Sequence, residues 1–342
     1  MSAHRTIPIF IPERACPFRC IYCNQHVISG QQQMPTDAEI LSTIDTYLPT
    51  FPSDAVVELG FFGGTFTGLP LDEQQRLLAL VHPYLDEGRI SSIRISTRPD
   101  YITPEIVDVL SRGGVGTVEL GVQSLDDAVL AQVRRGYTAA DVLRAAGMIH
   151  SAGLSLGMQM MVGLPGDTAE KSLSTAQQII ASGADNTRIY PTLVVRQTVL
   201  ASLYEKGLYH PLSIDEAVQW TAPVLRAFQE AGVTVLRVGL HPTDGFINHT
   251  DYLAGPFHVS FKELVMTEIF RQEFCHRLLP AGGIFGREKN LKKLTLFVHP
   301  SMVNAAVGYG GSNKRLLLSV FCSVSVHADS SLKGYDFTSV IE

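Results

Sequence analysis

Short apolar runs alternate with amphipathic stretches through the middle of the chain, and that alternation narrows the fold more than any other feature. Val56–Phe62, Ser92–Ser96, Thr117–Gly121, Leu154–Val162 and Thr187–Tyr190 are short and largely apolar, and each reads as a buried strand. Helical patterns fall between them, at Leu71–Leu85, Pro104–Ser111, Leu125–Arg134, Ala139–Ser151 and Ala169–Ser182. Thr103 supplies an N-cap before Pro104, and Gly113 and Gly153 follow helix ends. Ser213 and Glu216 form a capping box that opens a helix running to Ala231. An apolar run from Thr6 to Pro12, with prolines near its ends, adds a first strand. Six β/α units of this kind predict an α/β fold with a parallel sheet and helices outside. Being fewer than eight, they predict an open, partial TIM-like (β/α)6 barrel.

Three cysteines, Cys16, Cys20 and Cys23, stand in a CxxxCxxC run with Tyr22 just before the last sulfur. The run lies after the first strand and before a capping box, Thr36 to Glu39, that opens the apolar-periodic segment Ile40 to Leu48. The cysteines therefore sit on a strand-to-helix loop, where a (β/α) barrel carries its chemistry. Three thiolates can hold three irons of a [4Fe–4S] cube and leave the fourth open. They could also join His26 in a zinc site, or remain reduced thiols. Five cysteines, an odd number with three clustered, do not form a disulfide framework. Cys275 and Cys322 stand among apolar neighbours and read as buried.

The motif and its setting resemble the radical S-adenosylmethionine (SAM) superfamily. The resemblance implies a [4Fe–4S] cluster on Cys16, Cys20 and Cys23 whose open iron chelates SAM. Reductive cleavage of SAM then gives a 5′-deoxyadenosyl radical, with an electron donor of the flavodoxin or ferredoxin type. It also places SAM contacts at Tyr22 and at the segment Gly63, Gly64, Thr65 after the second strand. Gln123, in Glu119-Leu-Gly-Val-Gln-Ser124, resembles a ribose contact, and Gly163, in Met161-Val-Gly-Leu-Pro-Gly166, resembles the segment that packs on adenine. Arg135, or its neighbour Arg134, would grip the SAM carboxylate with two hydrogen bonds; the other reading of that pair is a solvated basic face. Met158, Met160 and Met161 read as core filling. Gln159 stands where coproporphyrinogen-type members carry an aspartate. The stretch from Arg188 through Tyr190 and Arg196 to Leu200 resembles the Elongator catalytic subunit, a tRNA wobble-uridine modifier, and that likeness spans Phe10 to Leu225. The extra upstream cysteine of that subunit and its acetyltransferase domain are not expected here. RNA, in particular tRNA, is the expected substrate; a coproporphyrinogen-type oxidase and a zinc-stabilised RNA-binding protein are the alternatives. No catalytic side chain is assigned.

Three regions are expected: the barrel over 1–232, an extension over 233–280 and a small α+β domain over 281–342. Val233–Val238 reads as an extra strand and Val259–Phe274 as a helix. In the last region Lys293–Val298 alternates like a strand, Pro300–Ala306 can form a short helix, and Ser323–Ala328 reads as a closing strand. Between the helices, Gly308-Tyr-Gly-Gly311 is a GxxG loop followed by Lys314 and Arg315. Strand, helix, GxxG, helix, strand resembles a minimal KH module, whose loop clamps nucleic-acid backbone; a glycine turn in a barrel cap is the other reading. From Ala281 onward seven Lys/Arg face four Asp/Glu, or +3, whereas the remainder carries twenty against twenty-nine, or −9. A basic tail on an acidic body points to a polyanionic partner. No apolar run reaches the ~18 residues of a membrane span, and no signal peptide is evident, so a cytoplasmic location is expected.

Overall fold

The computed structural model describes residues 4–12, 20–24, 33–279 and 290–342. Seven strands form one parallel sheet: β1 (His4–Ile11), β2 (Val56–Gly63), β3 (Ser92–Thr97), β4 (Val115–Gln123), β5 (Ser155–Val162), β6 (Asn186–Pro191) and β8 (Thr234–Val238). They pair in that order, so the chain builds a partial barrel by adding each new strand at the same edge. β8 extends the six units expected from the sequence by a seventh strand, pairing with β6. The short β7 (Val194–Val195) and β9 (Tyr252–Ala254) form a separate ribbon.

Helices α1 (Asp37–Tyr47), α2 (Leu71–Asp86), α3 (Pro104–Arg112), α4 (Asp127–Gln132), α5 (Ala139–Ser151), α6 (Ala169–Ala181), α7 (Val199–Glu205) and α8 (Ile214–Glu230) follow in turn. The sheet alternates as a strand must. Ile7, Ile9 and Ile11 of β1 and Val57, Leu59 and Phe61 of β2 join Ile40 and Ile44 of α1 and Leu77 and Val81 of α2 in one apolar core. The opposite face carries Glu58, Arg94, Glu119 and Arg188. The capping boxes at Thr36–Glu39 and Ser213–Glu216 form both reciprocal bonds, and a third occurs at Thr138–Asp141. α4 is shorter than its sequence pattern because the Asp126 side chain caps Val129 N–H and Arg134 turns left-handed at φ 57°.

After the one-turn α9 (Asp244–Ile247), α10 (Phe261–Arg277) joins two cores. Its Phe261, Val265 and Ile269 belong to the barrel core, and its Phe270 and Phe274 to a second core. That second core lies under β10 (Asn290–Val298), α11 (Val303–Val307), α12 (Ser312–Leu318), β11 (Phe321–Ala328) and β12 (Phe337–Ile341). β10 runs parallel to β11 and antiparallel to β12. The order strand, helix, GxxG, helix, strand is found in this segment, and β12 is an addition to it. Cys275 and Cys322 are exposed, contrary to the burial expected of them, because each faces away from the second core. Among the described residues no helix is long and apolar enough to cross a membrane.

Candidate active site

Cys20, Ile21 and Tyr22 are buried at the C-terminal rim of the barrel, and Cys23 is half-buried. A tight turn brings the two cysteines together, with Cys23 N–H donating to the Cys20 carbonyl at 3.0 Å. The turn is sutured on both sides. Ile21 N–H donates to Val133 O at 3.3 Å, and Ile21 O accepts from Leu200 N–H, in the first turn of α7, at 2.7 Å. Asn24 Nδ2 donates to Arg196 O at 3.2 Å. Both cysteines are free of disulfides, and Cys16 and His26 lie outside the described residues. Among the described residues no third His, Cys, Asp or Glu stands with Cys20 and Cys23. Soft thiols on one turn, one buried and one half-buried, beside a cation, fit an iron–sulfur group.

That cation is Arg135, which is 6% exposed. Arg134 and Gly136 flank it at positive φ, and Arg134 is left exposed while Arg135 turns inward. Arg135 Nη1 donates to Cys20 Sγ at 3.2 Å and to Tyr22 Oη at 3.1 Å. Nε donates to Tyr137 Oη at 2.6 Å, and Nη2 to Gly121 O at 2.5 Å. Four of the five N–H donors of a guanidinium are thus used inside the protein. Arg98 supports the arrangement, donating to Arg135 O at 2.6 Å and pairing with Asp100 at 2.8 Å. Burial opposes the charge on Arg135, yet Tyr137, Tyr22 and Cys20 hold it well above the ordinary arginine value. Burial also pushes the Tyr137 hydroxyl up to about 12 and raises that of Tyr22.

The other expected contacts lie at the ends of β2, β4 and β5 on the same rim. Gly63, at the end of β2, has φ 100°, and a Cβ there would lie 2.6 Å from Ile11 O. Gly64 N–H donates to that same carbonyl at 3.0 Å, which ties the glycine turn to β1, and Thr65 is buried. Gln123 ends β4 at φ 67° beside a register shift, and its Oε1 accepts from Gln159 Nε2 at 3.4 Å. Gly163 follows β5 at φ 80°, where a Cβ would meet the Leu212 side chain at 2.8 Å. Its N–H donates to Asp167 Oδ2 at 2.9 Å and its carbonyl accepts from Tyr209 Oη at 2.7 Å. Burial raises both the Asp167 carboxyl and the Tyr209 hydroxyl.

Deeper on the inner face lies a charge lattice that sequence reading had not assembled. Arg94 pairs with Glu58 at 2.9 Å and with Glu119 at 2.7 Å, and Glu119 pairs with Arg188 at 3.0 Å. The signal was available: each is a charged residue inside an apolar strand run. In the tail, Gly308, Gly310 and Gly311 all have positive φ. Tyr309 N–H donates to Thr267 Oγ1 of α10 at 2.9 Å, so the GxxG loop is anchored to that helix. Lys314 is exposed, whereas Arg315 Nη1 donates to Gly310 O at 2.5 Å.

Comparison with known proteins agrees with this architecture. Residues 10–179 match the Radical SAM superfamily and residues 184–271 match the Radical_SAM C-terminal domain. The tRNA uridine(34) acetyltransferase of Dehalococcoides mccartyi is 28% identical over 230 residues, 57% of this chain and 50% of that protein. Elongator complex protein 3 of Saccharomyces cerevisiae is 31% identical over 189 residues, 49% of this chain and 34% of that protein. The chain thus spans half or less of the length of these curated relatives. The structure of the archaeal Methanocaldococcus infernus Elp3 with an N-terminal deletion aligns at a TM-score of 0.63 and 21% identity, covering 80% of this chain and 66% of that one, a likeness of fold. The two family matches run from β1 to α10, through the cysteine turn and the rim it sits on. The chain belongs to the radical SAM superfamily and is an enzyme of that superfamily.

Proposed function

We propose that the chain holds a [4Fe–4S] cluster on Cys16, Cys20 and Cys23, binds SAM along the rim, and modifies RNA, with tRNA as the substrate class. The observation that carries the reading is the buried cysteine turn on a rim where β2 ends in Gly63, β4 ends in Gln123 and Gly163 follows β5. Membership of the superfamily implies both cofactors. When bound, they supply a one-electron cleavage of SAM that yields a 5′-deoxyadenosyl radical, with the electron arriving from a flavodoxin- or ferredoxin-type donor.

The residues bind, orient and exclude water. The cysteine turn offers thiol donors, while Ile21, Val129, Val133 and Leu200 close it from behind. Gly64 N–H is bonded to Ile11 O, which holds the Gly63–Thr65 turn against β1 at the rim, where it would take the amino group of SAM. Gln123 presents its amide beside Gln159, and Gly163, its own polar groups occupied, gives the adenine a surface to pack on. Gly64→Val puts a branched side chain where backbone approaches the ligand. Cluster absorbance should persist in this variant while 5′-deoxyadenosine formation under dithionite falls by about two orders of magnitude. Cleavage at the parent rate would remove this turn from the SAM site.

Support for RNA comes from the relatives named as tRNA uridine(34) acetyltransferases and from the tail. We infer that Gly308, Gly311, Lys314 and Arg315 form a phosphate-binding edge: two of them give the backbone its close approach, and two bring positive charge. Gly310 and Gly311 already occupy left-handed φ, a region aspartate tolerates, so the pair Gly310→Asp and Gly311→Asp should fold. This double variant should bind tRNA at least about tenfold more weakly in a filter-binding series at ~0.1 M salt, with a shallower salt slope. SAM cleavage without substrate should be unchanged. If the variant binds tRNA as tightly as the parent, the tail is not the RNA site; if neither binds, the substrate is a small molecule.

A further inference from the structure

The inner wall of the barrel holds one positive charge that nothing on it neutralises. Arg188 and Arg237 are register partners on the adjacent parallel strands β6 and β8, so two guanidinium groups stand side by side. Arg188 meets Glu119 at 3.0 Å, and Glu119 is shared with Arg94, whose other partner is Glu58. Arg237 is half-buried, and among the described residues no carboxylate pairs with it. Three arginines against two carboxylates leave +1. A charge withdrawn from bulk water without a partner is unfavourable, and a ligand of opposite charge relieves the cost. Burial and the Arg237 charge together hold the His241 imidazole below its ordinary value. Tyr190 follows Arg188 on the same face of β6, where the charges of both arginines act on its hydroxyl. Across the bore, the Phe62 ring lies 5.7 Å from Arg188 Cζ. Beside it is Phe10, with ring centroids 6.3 Å apart, and Phe10 is 40% exposed.

We propose that Arg188, Tyr190 and Arg237 form an anion subsite inside the barrel, which holds the reacting molecule by a carboxylate or a phosphate. This rests on the reading of the rim as the SAM site, because a molecule in the bore then lies where the radical is formed. Arg237 offers an uncommitted fork of donors, the shape that grips a carboxylate or phosphate with two parallel bonds. Arg188 is fixed by Glu119 and adds a second charge beside it. Tyr190 and Arg237 each stand one residue before the C-terminal end of their strand, so the subsite opens toward the rim. Gly63, Gln123 and Gly163 belong to β2, β4 and the turn after β5, so the anion and SAM have separate walls. The aromatic surface of Phe10 and Phe62 suits an anion carried on a flat or apolar body.

Phenylglyoxal, which condenses with guanidinium groups, reads the subsite in the full chain, with the modified residues mapped by peptide mass spectrometry. Without added anion, Arg237 should be labelled about tenfold faster than Arg94 and Arg188, which are tied to carboxylates. On the order of 10 mM inorganic phosphate or malonate, ten times the ~1 mM dissociation constant of a two-arginine site, should slow Arg237 about tenfold. Chloride at the same ionic strength should not, and Arg112 of α3, with its side chain 80% exposed, should keep its rate throughout. Phosphate should also raise the thermal midpoint of the parent more than that of Arg237→Gln; an equal rise in both overturns the subsite. Protection of Arg237 by tRNA identifies the anion as an RNA phosphate. Protection by phosphate or malonate and not by tRNA identifies a small acid or phosphate ester as a separate co-substrate, and either result upholds the subsite. Labelling of Arg237 at one rate under every condition, or no faster than Arg188 without anion, overturns it. The labelling needs neither iron nor SAM, so a parent chain that takes up no cluster would sink the SAM-site reading and leave this result standing.

Discussion

Cys20→Ala leaves anaerobically reconstituted protein with less than about one iron per chain, against about four in the parent. The brown absorbance and the reduced-state EPR signal disappear with it, and SAM cleavage under dithionite falls to background. The same result is expected for Cys16→Ala and Cys23→Ala, because a cube held at three corners does not survive on two. Folding is not the cause. The side chain removed from Cys20 is small, its loss costs about 1 kcal/mol, and the far-UV circular dichroism of the variant should match the parent. Stoichiometric zinc in parent protein prepared without oxygen would refute the assignment and restore the metal-stabilised binding protein as the better account.

Arg94→Met should cost about 3–5 kcal/mol of stability and lower the thermal midpoint of the metal-free chain by on the order of 10 °C. Arg94 stands between Glu58 and Glu119, with side chains 10%, 13% and 6% exposed respectively. Methionine replaces the bulk and not the charge, so Glu58 loses its arginine altogether while Glu119 keeps Arg188. Adding Glu58→Gln should recover much of the loss, since the stranded carboxylate is then gone. A loss below 1 kcal/mol in urea denaturation would show that water entering the barrel already solvates these groups.

Local chemistry made most of the fold legible. Ala139–Ser151 is seen in the structure with the bounds its periodicity and flanking residues mark, and the boxes at Thr36 and Ser213 set helix starts. What the sequence left obscure was long-range. Val233–Val238 reads as a strand, but nothing in it names β6 as its neighbour. β12, short and carrying Thr338 and Ser339, lacks the apolar density of a buried strand because four of its five residues are exposed. The rim was readable as a set of loops after strands, since glycines at Gly63 and Gly163 announce backbone that other residues reach only with strain. The set of bonds that Arg135 makes was not. Its partners Gly121, Tyr137 and Cys20 are spread over more than a hundred residues, and only the alternation of left-handed φ at Arg134 and Gly136 turns its side chain inward. The charge lattice has the same origin: Glu58, Arg94, Glu119 and Arg188 lie on four different strands, and strand order alone makes them neighbours.

α10 gives the molecule a ruler. Its 17 residues span about 25 Å at 1.5 Å per residue, with one end packed where β8 finishes and the other inside the tail's core. Phe261 lies so close to Gly239 that a Cβ on that glycine would be 2.9 Å from the Phe261 side chain, and Thr267 holds the GxxG loop midway along the helix. The spacing between the barrel rim and the tail's loop is therefore set by a helix rather than by a tether. A polymer resting on the loop would present to the rim a segment chosen by length, so selection of the reacting unit would be a matter of counting along the strand as well as of reading it. Cutting the chain after Arg277 would leave Phe270 and Phe274 without their partners, and the barrel would lose its measure along with its tail.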